Sequence, residues 1–478
     1  MLFNSFEFLL FFPIVTLLYF LIPHKYRWFL LLSASCFFYS FFKWEYIFIL
    51  IFTIIIDYFA GIWIGQSEGK KRKMALAVSL VANLGVLAMF KYYYFIIDNM
   101  NAIAFKVGVH EQYSPLWQFA LPIGLSFHTF QAMSYTIEVY RGNHKVERNF
   151  GIYALYVMFY PQLVAGPIER PQNVLYQFYE NHTFDYDRVK SGLRLMLWGM
   201  FKKVVIADNL SVFVDKIYNN SEHYQGLPIV VATLFFSIQI YCDFAGYSDI
   251  ALGSARVMGF DLMKNFNRPY FAKNISEFWK RWHISLSTWF RDYLYIPLGG
   301  NRVPTYRRYF NLFITFMISG LWHGASWNFV IWGALHGIYL VIGQLTKETQ
   351  QKVFGLIKNK TISNLIENLI TTSLVIFAWI FFRAKTFSEA KYIIKNSFVK
   401  SSHSVQDVIN LIGEKELVVI LVGLLVLQVV EWMQRTKDMG AWAEGLPRWK
   451  RWGIYYFLLA FLITFGYFGE VQFIYFQF

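Results

Sequence analysis

Long apolar runs recur along the whole chain, and they limit the folds that it can adopt. Several could cross a hydrocarbon core that needs roughly 20 residues, and shorter ones suit tilted or re-entrant helices. Only 15% of the 478 residues are charged, whereas soluble domains carry about 25%. We therefore predict an all-α polytopic membrane protein with about 11 to 13 membrane segments. The runs are Phe6–Ile22, Trp28–Phe42, Tyr46–Gly65, Met74–Ile97, Phe119–Val139, Ile229–Phe244, Phe310–Ser319, Trp327–Ile342, Leu365–Phe382, Leu417–Val430 and Tyr455–Phe468.

The polar connections between these runs are short. The longest are Glu169–Lys190, Lys347–Lys360 and Lys400–Glu416, and each is too small to build an independent core. We therefore predict one membrane domain over residues 1–478. Its N-terminal helices occupy residues 1–145, a catalytic core occupies residues 146–345, and C-terminal helices occupy residues 346–478.

The net charge of +14 has an uneven distribution that indicates membrane topology rather than nucleic-acid binding. Basic residues collect after the first, third and fifth runs, in HKYR, GKKRK and RGNHKVER. Because positive loops stay in the cytoplasm, we predict an outside N-terminus and cytoplasmic loops at these three places. The opening MLFNSFEFLL lacks a basic n-region, so we expect the first run to be retained as a helix.

The segment Ile275–Pro297, ISEFWKRWHISLSTWFRDYLYIP, is amphipathic where the other runs are apolar. Asn274 or Ser276 suits the N-cap of a helix that starts there. Cationic side chains make a lipid-facing span costly. We therefore predict one in-plane or re-entrant helix, with its polar stripe towards protein or a water-filled cavity. At helical spacing the stripe comprises Lys280, His283, Ser287 and Arg291.

Four of the ten histidines, His128, His283, His323 and His336, lie outside the polar connections. Ionisable groups within a membrane are functional candidates, although a buried imidazole held by one hydrogen bond is the common structural alternative. On a continuous helix His323 and His336 would lie about 20 Å apart, so both serve one centre only if the helix breaks. Gly320 and Gly324 bracket His323 and permit such a break.

These positions lead to different expectations for the histidines. We predict that His323 is the better placed of the two for catalysis and that His336 orients a neighbour or packs. Nearby Lys280 and Arg281 would disfavour imidazolium and keep His283 neutral. We find no G-x-S-x-G elbow, and the separated Cys36 and Cys242 suggest neither a metal site nor a disulfide framework. The expected chemistry is acid–base catalysis without a metal or a bound cofactor.

Two carboxylates lie in the apolar stretch IYCDFAGYSDIALG. Asp243 and Asp249 are six positions apart, so they do not share one helix face. We expect Gly246 to break the helix between them. Structural pairing with a basic residue such as Arg256 or Arg268 is the favoured interpretation, and a supporting role at the site stays open for Asp243.

Two adjacent motifs, FWKRWHISLSTWFRDYLYIPLGGNR at 278–302 and LWHGASWNFVIWGALHG at 321–337, resemble the membrane-bound O-acyltransferase (MBOAT) superfamily. Within it they are similar to the bacterial alginate O-acetyltransferase branch. Shorter stretches agree in the same order along nearly the whole chain, at residues 3–12, 121–135, 159–171, 241–253, 377–384 and 473–478.

The resemblance implies a ring of tilted transmembrane helices, with in-plane helices, around a central funnel. It implies an O-acyltransferase of a bacterial inner membrane whose donor is acetyl-CoA. The acetyl group would pass, directly or through an SGNH-hydrolase-like partner outside the membrane, to an exported polysaccharide. The family's two characteristic histidines correspond to His283 and His323, of which His323 is expected to be catalytic and to act as the general base. Supporting or substrate-binding roles are expected for Lys280, Arg281, Arg291, Trp322, Asn328, His336 and Asp243.

Other functions remain open on the sequence. The same fold is expected to serve D-alanyl transfer to teichoic acids or O-acetylation of peptidoglycan. A transporter of lipid-linked saccharides could use buried His and Asp residues as a proton relay, although we find no internally repeated half-chains. A scaffold that has lost catalysis is a third class, against which the presence of both His283 and His323 weighs.

Overall fold

A computed structural model describes residues 1–110, 113–115, 119, 121–164, 166–400, 403–469 and 473–476. Every regular element in these ranges is a helix, which confirms the predicted all-α class. Several predicted features include residues outside these ranges. They are residue 120 of the fifth run, residues 401–402 of the third polar connection, and residues 165, 477 and 478 of the resembling motifs.

Among the described residues, six helical stretches are long and apolar enough to cross a membrane. Five further helices of 16 to 19 residues accompany them: Phe6–Leu21, His24–Ser40, Leu125–Arg141, Thr305–His323 and Arg448–Phe465. The chain is therefore a multi-pass membrane protein. The six stretches are Tyr46–Gln66, Gly69–Lys106, Leu227–Met258, Trp327–Leu345, Lys360–Arg383 and Glu414–Met433.

The described chain divides into two compact units. The first comprises Met1–Met196 and Ile250–Met263, and the second comprises Leu197–Asp249 and Lys264–Phe478. The predicted single membrane domain stays a prediction. The helices that begin in the first unit are α1 Phe6–Leu21, α2 His24–Ser40, α3 Tyr46–Gln66, α4 Gly69–Leu87, α5 Tyr93–Lys106, α6 Leu125–Arg141, α7 Phe150–Met158, α8 Tyr160–Leu163, α9 Pro171–Val174 and α10 Tyr186–Met200.

A buried polar cluster joins three helices of the first unit. Asp57 on α3 has no exposed surface and accepts hydrogen bonds from Ser79 (2.6 Å) and Asn83 (2.8 and 2.9 Å) on α4. The Ser79 hydroxyl also lies 2.9 Å from the Thr136 hydroxyl of α6. Since an unsatisfied polar group in hydrocarbon costs several kcal/mol, these bonds fix which faces of the helices meet.

The second unit holds the C-terminal half of the fold and three of the four histidines singled out above. Its short connecting helices alternate with long apolar ones. The helices that begin in the second unit are α11 Asp208–Tyr218, α12 Leu227–Met258, α13 Ile275–Arg281, α14 Ile284–Phe290, α15 Thr305–His323, α16 Trp327–Leu345, α17 Lys347–Gly355, α18 Lys360–Arg383, α19 Phe387–Ser397, α20 Val405–Ile412, α21 Glu414–Met433, α22 Met439–Glu444 and α23 Arg448–Phe465.

Helix α12 continues through Gly246, so the predicted break between Asp243 and Asp249 is wrong. A Cβ at Gly246 would lie 2.7 Å from the carbonyl oxygen of Gly199. Glycine is therefore required here because another backbone approaches closely. The expected partners of Asp243 are also wrong, because its carboxylate pairs with Lys203 at 2.8 Å.

Helices α15 and α16 form a hairpin packed through glycines. A Cβ at Gly320 would lie 2.1 Å from the carbonyl oxygen of Phe329, and one at Gly333 would lie 2.2 Å from that of Phe316. The two backbones are thus closer than any side chain permits, as is typical of small residues at membrane helix interfaces. This contact fixes where α15 ends relative to the side chains of α16.

Candidate active site

His283 lies at a break that the sequence did not predict. The segment expected to form one helix contains α13, then α14, then a π-helical turn over Arg291–Tyr295. Asn274 does cap its start, since its side chain accepts a hydrogen bond from the Glu277 backbone N–H at 2.8 Å. The continuous polar stripe is nevertheless wrong, because the helix is interrupted at Trp282 and His283.

His283 itself adopts a left-handed backbone conformation, with φ of 42°. This conformation costs a non-glycine residue roughly 1–3 kcal/mol and persists only where neighbouring groups enforce it. Asn265 provides that enforcement: its carbonyl accepts from the Ile284 N–H at 2.9 Å, and its side chain accepts from the Ser285 hydroxyl at 2.6 Å. The strained backbone directs the His283 side chain into the interior, where it has no exposed surface.

His323 lies at another helix end, as the glycines around it suggested. Helix α15 ends at His323, Gly324 is extended, and α16 begins at Trp327. The predicted break is confirmed, and His323 is 4% exposed. Two buried imidazoles therefore project from the ends of two different elements.

The two imidazoles are close together. The ring centroids of His283 and His323 are 6.5 Å apart. Five aromatic residues surround them, and we call these residues the aromatic cage. Measured between ring centroids, His283 lies 4.6 Å from Phe244, and His323 lies 4.9 Å from Trp322 and 5.0 Å from Trp332. Phe382 and Tyr475 complete the cage at 5.4 and 5.7 Å from His323.

The contacts around His283 show that burial, rather than the nearby cations Lys280 and Arg281, is the reason to expect a neutral ring. Lys280 is exposed, and Arg281 is paired with Glu277 at 2.6 Å. Burial alone disfavours imidazolium, because the charged ring loses its hydration among apolar neighbours. A neutral ring is the form that can accept a proton.

His336 is held by a different set of contacts. Its Nδ1 accepts a hydrogen bond from the Trp279 indole N–H at 3.2 Å, and its ring lies 5.0 Å from that of Trp332. Trp332 is also 5.0 Å from His323 and so contacts both rings. The structure therefore places His336 behind a wall of the aromatic cage, and its packing or orienting role stays a prediction.

Lys280 and Arg291 line one cavity of about 330 Å³. Its remaining wall is mainly apolar and comes from α13, α14, α15 and α16, with Trp279 and Ser319 among the lining residues. Ser319 lies one turn before His323 on α15, about 6 Å along the helix axis. The cavity thus lies along the same helix that ends at the aromatic cage.

The other predicted supporting residues have structural contacts. Arg281 forms an ion pair with Glu277. The pKa of Glu277 is lowered: burial acts to raise it, but hydrogen bonds from the Lys273 backbone and from Arg281 outweigh that effect. The buried Asn328 donates to the carbonyl of Ala384 at 2.8 Å, which links the start of α16 to the end of α18. Trp322, by contrast, belongs to the cage.

The sequence did not single out Tyr475 or Lys203. Tyr475 lies 6.1 Å from His283 and 5.7 Å from His323, measured between ring centroids. Lys203 is buried in a π-helical segment, Phe201–Ala207, and pairs with both Asp208 (2.7 Å) and Asp243 (2.8 Å). A lysine among apolar residues was the available signal for the second residue.

Comparison with known proteins identifies the family to which this chain belongs. The sequence profile of the MBOAT, membrane-bound O-acyltransferase family, matches residues 125–384, which include both cage histidines. The chain is also 40% identical over 394 residues to the probable alginate O-acetylase AlgI of Pseudomonas aeruginosa, covering 82% of this chain and 73% of that protein. The chain belongs to the membrane-bound O-acyltransferase family.

Less similar relatives have other names. The peptidoglycan O-acetyltransferase of Helicobacter pylori is 36% identical over 392 residues, which cover 76% of this chain and 72% of that protein. The teichoic acid D-alanyltransferase of Streptococcus thermophilus is 31% identical over 268 residues, covering 53% and 64%. The protein is thus an O-acyltransferase, in agreement with the resemblance of its motifs.

Proposed function

We propose that this membrane-bound O-acyltransferase transfers an acetyl group from cytoplasmic acetyl-CoA to hydroxyls of an exported polysaccharide. The transfer is direct or passes through an SGNH-hydrolase-like partner on the other side of the membrane. The observation that carries the proposal is the pair of buried imidazoles, 6.5 Å apart, within the aromatic cage. The likeness to the probable alginate O-acetylase of Pseudomonas aeruginosa supports a polysaccharide acceptor.

His323 is the general base in this proposal. It accepts the proton of the acceptor hydroxyl as the oxygen attacks the thioester carbonyl. A carbon–oxygen bond forms, the carbon–sulfur bond breaks, and the proton passes from the imidazolium to the departing CoA thiolate. The products are an ester and a thiol, and the imidazole returns to its starting form.

His283 orients the reacting groups. Two hydrogen bonds of about 2.8 Å, one to each ring, allow a single oxygen to lie between the imidazoles. At that place the neutral His283 donates a hydrogen bond to the attacking acceptor oxygen and aligns it with the thioester carbonyl, while His323 takes up the proton. The aromatic cage keeps water away from the thioester and strengthens both interactions.

The cavity beside Lys280 and Arg291 suits the donor. CoA carries phosphates at one end, and cationic side chains bind phosphate through charge-assisted hydrogen bonds. The apolar wall formed by residues such as Trp279 suits the less polar arm that bears the thioester. One helical turn separates Ser319 of this wall from His323, so we propose that the thioester enters along α15.

The test is acetyl transfer in proteoliposomes supplied with radiolabelled acetyl-CoA at the cytoplasmic face. The opposite face would receive exported polysaccharide from the native host, with and without its periplasmic protein fraction. We expect label on the polysaccharide with the wild type and a loss of about 10²–10⁴-fold for His323→Ala. The matched control is His223→Ala, whose imidazole is 73% exposed. Full activity of His323→Ala in a folded preparation contradicts the assigned base.

Peptidoglycan is the second candidate acceptor, because the Helicobacter pylori relative covers a similar share of the chain. Polymeric β-linked uronate and purified glycan strands should be offered in parallel, and the labelled polymer identifies the acceptor class. A D-alanyl carrier-protein thioester tests the donor in the same vesicles. An absence of thioester cleavage with every donor would favour the transporter instead.

A further inference from the structure

The residues 473–476, which we call the aromatic segment, place Tyr475 against both imidazoles. Its ring centroid lies 6.1 Å from His283, 5.7 Å from His323 and 4.4 Å from Phe244. Phe244 in turn lies 4.6 Å from His283. One ring therefore contacts both candidate catalytic groups and the residue that packs on one of them. Any movement of Tyr475 changes the space available to the pair.

A backbone hydrogen bond ties this segment to α12. The N–H of Ile474 donates to Oδ2 of Asp243 at 2.8 Å, directly before Tyr475 in the chain. Phe473 adds a stacked contact with Tyr247, with ring centroids 4.5 Å apart. The aromatic segment is thus held by α12 on both sides of Ile474.

Asp243 is in turn held by charge. Its other oxygen pairs with Lys203 at 2.8 Å, and Lys203 also pairs with Asp208 at 2.7 Å; all three residues are at most 2% exposed. Buried ion pairs add little net stability, because desolvation offsets the attraction, and their best-attested use is to fix one arrangement of the chain. Here the fixed arrangement is that of the carboxylate to which the aromatic segment is bound.

We propose that Tyr475 is a positioning residue for acyl transfer, and that the Lys203–Asp243 pair fixes its place. The Tyr475 ring keeps His283 and His323 at the separation that one reacting oxygen requires. The inference rests on the proposed roles of the two histidines. It assigns Asp243 a role through the aromatic segment and no contact with substrate.

A misplacement of about 1 Å is enough to reduce catalysis about 10²-fold. We therefore expect Tyr475→Ala to lower kcat about 10²-fold and to change KM for acetyl-CoA less than threefold, because the donor cavity is lined by other residues. Tyr475→Phe retains the ring and should restore kcat to within about threefold of the wild type. The matched control is Tyr306→Ala, because Tyr306 is 77% exposed.

The first test measures kcat and KM for acetyl-CoA in proteoliposomes, with melting curves to confirm folding. Rescue by Tyr475→Phe supports positioning by the ring. A loss with Tyr475→Phe as large as that with Tyr475→Ala overturns the proposal, since the hydroxyl would then take part in the chemistry. A change in KM alone overturns it as well. Failure of the proposed function is distinguishable from failure of the positioning role, because His323→Ala in the same preparation would then retain activity.

The second test concerns the ion pair. Asp243→Asn retains an oxygen for the Ile474 N–H but removes the charge that Lys203 holds. If the pair acts through Tyr475, Asp243→Asn should lower kcat in the wild type and have less than a threefold further effect in Tyr475→Ala. Multiplicative losses in the double variant would show that the two residues act independently and would overturn the link. Folding of each variant is checked by the same melting curves.

Discussion

Replacement of Gly333 by alanine should separate the α15–α16 hairpin and thereby move His323. The added Cβ would lie 2.2 Å from the Phe316 carbonyl oxygen and 3.1 Å from Cα of Gly320. Contacts under 3.0 Å do not persist, so the backbones must separate by at least about 0.8 Å. Overpacking of this kind costs about 1–3 kcal/mol, and a shift near 1 Å at His323 lowers the transfer rate about 10²-fold.

The matched control lies on the same helix. A Cβ at Gly343 meets nothing within 4 Å, so Gly343→Ala should be neutral or stabilise α16 by about 0.5–1 kcal/mol. Both variants would be purified in detergent, and their melting temperatures and acetyl-transfer rates would be compared with those of the wild type. We expect Gly333→Ala to melt lower and to transfer slowly, and Gly343→Ala to match or exceed the wild type in melting.

The outcome that refutes this reasoning is specific. If Gly333→Ala melts like the wild type and transfers acetyl at an undiminished rate, close backbone contact does not fix the position of His323. Equal damage from Gly333→Ala and Gly343→Ala would indicate a general intolerance of α16 to alanine. In either case the hairpin would not be the element that places the candidate base.

Three other predictions concern His336, Lys280 and Lys71. His336→Ala leaves the buried Trp279 N–H without its acceptor, so we expect melting curves to show a destabilisation of about 1–3 kcal/mol. The same variant should reduce acetyl transfer less than His323→Ala does. Lys280→Ala should raise KM for acetyl-CoA about 3–10-fold with little change in kcat, and the salt dependence of KM should weaken. An unchanged KM would exclude Lys280 from donor binding. Lys71→Cys should react with an impermeant maleimide only from the cytoplasmic side, and labelling from outside would reverse the predicted topology.

The apolar runs predicted the helical membrane fold well, because length and hydropathy determine which segments can lie in lipid. Helix ends were predicted where local chemistry specifies them, as with the Asn274 cap and the break after His323. The break at His283 was missed. Its cause is Asn265, eighteen positions earlier, and no periodic pattern within the segment contains that information.

The candidate site also combines residues that the sequence predicted with contacts that it did not predict. His283 and His323 were identified because imidazoles in apolar surroundings are unusual, yet their closeness depends on tertiary contacts. Lys203 was missed as the partner of Asp243 because the choice among distant cations is made by packing. Gly246 was misread for a related reason: a glycine that permits a bend and one that admits a neighbouring backbone look identical in sequence.

The bonded carboxyl of Asp57 has a consequence for biogenesis. A lone α3 leaving the translocon would expose an acidic group to lipid, at an insertion penalty of about 2.5–3.5 kcal/mol if it is near the bilayer centre. Ser79 and Asn83 on the next helix supply the bonds that remove much of this penalty, whereas Thr136 is synthesised some fifty residues later. Helices α3 and α4 therefore have reason to leave the translocon as a pair, with α6 joining an already assembled hairpin.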